Sequence, residues 1–587
     1  MTEGKGFMKG DGSRHARVSW LSALSAIVLA GGALLWMLLI RDSEIRAANM
    51  EELEAAIQHA KPGDTIVMKN GVWEDVLIRI NGAHGTEEKP ITLRAETRGQ
   101  VQLTGTSRLR IGSDYWIVDG LVFRDGGLDS ERLGDVIEFR DGPDRPAHHS
   151  RLTNTQILYY NPPEEALKEQ QAEDIPYKWV SIFGQHNRVD HSHFEGKTNG
   201  ESLLAVWRHQ ENGEYADGDF HLIDHNYFAN VPELGANGLE AIRIGTSHDS
   251  RTDSFTIIEH NLFERYDGEA ELISVKTGRN TIRFNTVFDS SAGITLRHGD
   301  NSEVYGNFIL GNHKVGMGIR AAGAGHRIYN NYLSDIAGTD ASWRAALTFM
   351  NGDEQFNEDE ASGPLILHTY KQVQDVEISS NTLVNNRHNI HVGAGSYTLP
   401  PKNMSFANNL IYSTHNRLFH YLKEPAAVRF ENNIAFGNYL GFSPLPEGVV
   451  QEDPEVSLGE DGLYRSLLAE NKGVGSTLIA DGHRPLTRAD VGPDWLDPGV
   501  FYAGDLAHHF TEAEHYRSAA GEFAKQVCEI CSNKMMIKPG DAGEELQLVY
   551  AAEILSPGEY YVQVRSHPGN AGSGQLIRLK FENGVER

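Results

Sequence analysis

One short phrase recurs along the chain and limits what it can fold into. IIEHNLF, IRFNTVF, VYGNFIL, IYNNYL, ISSNTLV, FANNLIY and FENNIAF each set an Asn between short extended apolar stretches, at positions 261, 285, 307, 331, 381, 409 and 433. Most steps are 22 to 28 residues, and the step of 50 residues is read as two turns. Upstream, IDHNYF carries Asn226 in the same setting, while VDHSHF and LTNTQIL carry Ser192 and Thr155 there. A steady period in this range with β-rich phrases marks a solenoid. Strands this short cannot bury a face alone. Stacked coil above coil, they pair in parallel and close a continuous core. The recurrent Asn then forms a ladder at a bend, each amide bonding the coils above and below. Leucine-rich repeats compete, but their LxxLxL frame is absent and the apolar spacing is not helical. The reading is an all-β, right-handed parallel β-helix over residues 48–500.

The flanks differ in character. Residues 20–40 are uncharged and mostly apolar, long enough to span a bilayer's hydrocarbon core. Lys5, Lys9, Arg14 and Arg17 precede them, which favours a cytoplasmic stub and export of everything after Ile40. Residues 1–47 are thus expected to be a signal anchor or a cleaved signal peptide, with a buried core helix as the alternative. The body is expected outside the cytoplasm: periplasmic, extracellular or membrane-anchored. MEELEAAIQHA, from Met50, reads as a short amphipathic helix covering the first open sheet edge. Residues 501–587 read as a β-sandwich-like segment, either an incomplete carbohydrate-binding module or a stabilising cap. Cys528 and Cys531 are the only cysteines, so there is no disulfide framework. A net charge of −28 argues against general nucleic-acid binding. It also means that a groove for a polyanion would need charge locally opposite to that of the whole chain.

The stretch 267–299, DGEAELISVKTGRNTIRFNTVFDSSAGITLRHG, carries the chemistry. Glu269 and Glu271 are two apart and share a strand face, so they can converge on one hard cation. Lys276 is odd-spaced from Glu271, and a turn or bulge must intervene for it to join them. Arg297 must arrive from the neighbouring strand one repeat later. Solvated ion pairs on a strand face are the alternative. Trp179 and Trp343 offer rings for sugar stacking or for core packing.

Eight segments extend the pattern: KPGDTIVMKNGVW, EEKPITLRAET, YWIVDGLVF, NGLEAIRIG, EAELISVKTG, ITLRHG, RAALTFMNG and RPLTRADVGPDW. Together they resemble polysaccharide lyase family 6, which contains alginate lyases and the dermatan-sulfate-cleaving chondroitinase B. The resemblance spans the whole expected β-helix. It implies β-elimination on an anionic polysaccharide, with alginate favoured over dermatan sulfate, and a catalytic Ca²⁺ held by Asn237, Glu269 and Glu271. It further implies Lys276 as Brønsted base, Arg297 as acid, and His298 and Arg344 as substrate contacts; Arg243, in the IRIG strand, is a further candidate substrate contact. For Arg243 a structural ion pair is the alternative. A non-catalytic glycan-binding β-helix is the competing function, since a fold does not fix an activity.

Overall fold

The chain forms two units, Met1–Pro498 and Gly499–Arg587. A computed structural model describes residues 44–129, 134–168, 175–234, 238–339, 343–353 and 370–496, together with four short backbone strands between 518 and 549. The apolar run 20–40, Asn237, Cys528 and Cys531 lie outside the described residues. Among those described, no helix is long and apolar enough to cross a membrane.

The first unit is a parallel β-helix. Three sheets of 14, 12 and 14 strands run its length, and each strand pairs with those one coil before and after it. Pairing begins at Glu44–Ala47, ahead of the expected boundary at 48. The helix Met50–His59 follows. Asn49 caps it by accepting the Glu52 N–H at 3.0 Å, and Glu52 reaches back to the Ala48 N–H at 2.8 Å. Leu53, Ala56 and Ile57 turn its apolar stripe into the core.

The asparagine ladder is present and buried. Oδ1 of Asn261, Asn285, Asn307, Asn331, Asn381, Asn409 and Asn433 each accepts the backbone N–H of the preceding rung at 2.9–3.1 Å. The side-chain amides donate onward in the same direction, as Asn285 Nδ2 does to Asn307 Oδ1 at 3.1 Å. Ser192 and Thr155 extend the line with shorter hydroxyls. The 50-residue step corrects the sequence reading. Arg327–Tyr329 pairs directly with Gln374–Ser379, so the step is one coil carrying a long insertion, not two turns.

The 12-stranded sheet shows how the pattern places the site. Ile242, Ile273, Ile294, Ile319, Leu347 and Ile390 align in register as one buried row. Ile244, Val275, Leu296, Ala321, Phe349 and Val392 form a second. Each fully buried aliphatic contributes about 1.5–3 kcal/mol. The row between them alternates outward: Arg243, Ser274, Thr295, Arg320, Thr348 and His391.

A return segment runs back along one 14-stranded sheet. Leu463 and Leu478 pack on Phe308 and Tyr332, Val491 packs with Tyr227 and Leu262, and the Trp495 indole donates to the Asn154 carbonyl at 3.0 Å. In the second unit, Ser518–Ala520 pairs antiparallel with Gln547–Val549, and Phe523–Val527 with Met535–Pro539.

Candidate active site

The strand Glu271–Val275 is irregular where the sequence requires it to be. Its register with Gly293–Leu296 shifts between Glu271 and Ile273. That bulge puts Glu271 on the same outer side as Ser274 and Lys276 despite the odd spacing. Ser274 donates to Glu271 Oε2 at 2.5 Å. Arg297 arrives from the next coil, its backbone N–H held by the Val275 carbonyl at 2.9 Å. Its Nη1 lies 3.3 Å from Glu271 Oε1. Gly299, at φ +81°, lets this turn close, since a Cβ there would meet the Thr277 backbone at 2.1 Å.

Three buried or partly buried carboxylates meet here. Glu271 is held by Ser274, Arg297 and Arg320. Burial alone would raise its carboxyl, but Arg320 and Arg297 hold it below the usual range. Glu269 Oε1 accepts the N–H groups of Gly238 at 3.1 Å and Leu239 at 3.2 Å. Burial, then Glu240 and Glu271, push the Glu269 carboxyl up to about 8. Glu240 is the third. Its Oε1 accepts from Lys276 Nζ at 3.4 Å, and its Oε2 is buried with no hydrogen-bond partner among the described residues.

Arg297 is a firm cation. Burial opposes its charge, but Glu271 foremost, with Tyr370, Glu240 and Glu269, holds it above its ordinary value. Tyr370, at the end of the long insertion, lies 6.0 Å below its guanidinium and 6.3 Å from the His298 ring. Trp343, at the insertion's start, sits between Arg320 at 5.3 Å and Arg344 at 4.6 Å. Burial lowers the Arg344 pKa from its ordinary value. Arg243 pairs with Glu201 at 3.3 Å and lies 5.3 Å from the Trp207 ring, one strand from Ser274.

The structure therefore brings Glu269, Glu271, Lys276 and Arg297 together, with His298 against Tyr370, Arg344 against Trp343 and Arg243 one strand from Ser274. Trp179 is fully buried and donates to the Tyr160 carbonyl, so it packs. Glu240, Arg320 and Tyr370 were missed in the sequence. Glu240 could have been found, because it lies in the matched segment NGLEAIRIG, three residues after Asn237. Lys276, Arg297 and Arg344 place positive charge on this face, while Arg320 is buried against Glu271.

Among the described residues no group of three or more His, Cys, Asp or Glu forms a ready-made metal centre. The chemistry of the donors still fits a hard divalent cation. Like-charged carboxylates crowd together, one at an elevated pKa and one with an unsatisfied buried oxygen.

The fold and site define a parallel β-helix that carries cationic side chains around crowded carboxylates on one sheet. The sequence model of the chondroitinase B family matches residues 47–475, and the chain belongs to that family, polysaccharide lyase family 6. Among solved structures, the family 6 alginate lyase AlyGC is 36% identical with a TM-score of 0.69, over 78% of this chain and 59% of that one. The chain thus spans less than two thirds of that relative's length. A mannuronic-acid-specific family 6 lyase from human gut microbiota is 28% identical with a TM-score of 0.62, over 77% of this chain and 97% of that one. A family 6 polysaccharide lyase from Pseudopedobacter saltans is 28% identical with a TM-score of 0.59, over 77% of this chain and 100% of that one. No curated protein matches the chain.

Proposed function

We propose that the chain is an exported polysaccharide lyase that cleaves a uronate polymer, alginate first, by β-elimination. The observation that carries this reading is the placement of Lys276 and Arg297 on adjacent strands beside the Glu240, Glu269 and Glu271 pocket. The family 6 relatives described as alginate lyase and as mannuronic-acid-specific support alginate. The family's name supports dermatan sulfate as the second reading. The apolar run at 20–40 supports export.

The C5 proton of a uronate is weakly acidic, because its removal adds charge beside a carboxylate that is already negative. Asn237, Glu269 and Glu271, with Glu240 beside them, would hold a Ca²⁺. Bound there, it supplies charge neutralisation at the substrate carboxylate. Lys276, acting as the neutral amine, takes the C5 proton. The C5–H electron pair becomes the C4–C5 double bond, and the C4–O bond breaks. Arg297, held as a cation by Glu271, stabilises the charge growing on the departing oxygen, which water then protonates. Arg344 flanks the path along which substrate carboxylates pass. Lys276→Ala tests the assignment: turnover should vanish while oligouronate binding persists, and a near-normal rate would remove Lys276 as the base.

A further inference from the structure

The face that carries the reacting groups continues beyond them along one line of strand ends. Ile182, Val206, Ile244, Val275 and Leu296 are in register on successive strands. The residues that follow them are Phe183, Trp207, Gly245, Lys276 and Arg297. Trp207 is therefore two strands from Lys276, about 10 Å across the sheet. Phe183 and Trp207 are partly exposed and stack with ring centroids 5.7 Å apart and planes 2° from parallel. The Trp207 indole N–H is fixed on Ser181 Oγ at 3.1 Å. Cations close both ends of the pair. The Arg140 guanidinium lies 3.8 Å from the Phe183 ring centre, and Arg243 and Lys178 each lie 5.3 Å from Trp207.

Among the described residues these cations share their carboxylate partners. Lys178 and Arg243 share the one carboxylate of Glu201, at 3.0 and 3.3 Å. Arg110 and Arg140 share Glu138, at 3.1 and 2.7 Å. Asp135 lies beside them, bonded to Ser181 Oγ and the Lys178 N–H. Among the described residues, four cations thus share two carboxylates by direct pairing. Arg243 Nε has no hydrogen-bond partner among the described residues. Core packing asks for none of this: two partly exposed aromatic rings, held between guanidiniums that share their carboxylate partners, match an acidic sugar chain, with apolar C–H faces and one carboxylate per ring.

We propose that Arg140, Phe183, Trp207 and Arg243 form a distal uronate-binding subsite on the N-terminal side of the cleavage centre, so that catalytic efficiency grows with chain length on that side. The proposal rests on the lyase reading above. Ring C–H faces lie across the Phe183–Trp207 edge, and the uronate carboxylates meet the two arginines. Two linked sugars bridge the distance from this platform to Lys276.

The test compares kcat/KM on alginate with that on the shortest oligouronate the wild type cleaves, by release of unsaturated product. Trp207→Ala should lower the polymer-to-short ratio about five- to tenfold, mainly through KM, a size set by aromatic contacts of this kind. Trp207→Phe should restore most of it, and Phe183→Ala should repeat the loss if Trp207→Ala does not fold. Equal losses on both substrates, or a ratio unchanged in both alanine variants, would overturn the platform while leaving the lyase intact. A wild type that releases no unsaturated product from any uronate polymer would overturn the lyase reading, and the platform with it.

Discussion

One carboxylate oxygen of Glu240 accepts from the Lys276 ammonium at 3.4 Å, while its other oxygen is buried without a hydrogen-bond partner among the described residues. The residue thus touches the amine that takes the proton and also faces the pocket of Glu269 and Glu271. Glu240→Gln keeps the shape and removes the charge. Calcium titration by calorimetry should show affinity weakened at least about tenfold, equivalent to ~1.4 kcal/mol. Unchanged affinity would take Glu240 out of the pocket's electrostatics.

Arg320 is the buried counter-charge of Glu271. Replacing it with Met removes one partner of a buried pair and leaves the Glu271 charge to Arg297, Lys276 and the Ser274 hydroxyl. Loss of a partner in such a pair costs about 3 kcal/mol or more. The denaturant midpoint of Arg320→Met should fall accordingly, and a midpoint within error of wild type would show that these partners suffice.

Asn307 stands mid-ladder, fully buried, accepting from both the backbone and side-chain amides of Asn285. Asn307→Ala strands the Asn285 backbone N–H in the interior, at about 1–3 kcal/mol, while the Asn285 side-chain amide keeps the Ile258 and Arg283 carbonyls. Asn307→Ser should recover part of the loss, because Ser192 fills such a rung upstream, accepting the Thr155 N–H at 3.3 Å. Thermal unfolding of the two variants orders them: wild type, Ser, then Ala.

His221 belongs to a second buried ladder, where its Nδ1 accepts the Asn187 N–H at 3.0 Å. Burial, reinforced by His186, drives its pKa from 6.5 to about 3. The unfolded chain therefore binds a proton that the folded chain refuses, between about pH 6.5 and 3. Stability from this residue is complete above pH 6.5 and is lost as pH falls, by about 2 kcal/mol at pH 5. His221→Asn keeps an acceptor for Asn187, as Asn280 does for Thr256 on the same ladder. It should make unfolding free energy less steep between pH 6.5 and 5, and an unaltered slope would assign the acid sensitivity elsewhere.

Much of this was legible in the sequence because the solenoid repeats its constraints. Each Asn of the ladder is needed where it stands, so the phrase around it survives from coil to coil and announces the fold. The odd spacing from Glu271 to Lys276 required an irregularity, and the register shift supplies it. What stayed hidden depends on pairings that spacing does not encode. Fifty residues between Asn331 and Asn381 hold two turns or one turn with an insertion equally well, and only strand pairing decides. Arg320 reaches Glu271 across two strands, so no local motif joins them. Trp207 reads alone as a packing residue. It joins the face that carries the reacting groups once Ile182, Val206 and Val275 are known to share a register.

The most direct measurement is the ultraviolet absorbance of a C4–C5 unsaturated uronate, followed as the full chain acts on alginate or dermatan sulfate, with and without chelator. The expected result is a rise on alginate that chelator suppresses and added Ca²⁺ restores. A rise only on dermatan sulfate would move the substrate to the second reading, and a rise that survives chelation would remove the cation's role. A folded protein that produces no rise on either polymer would contradict the lyase assignment of Lys276 and Arg297.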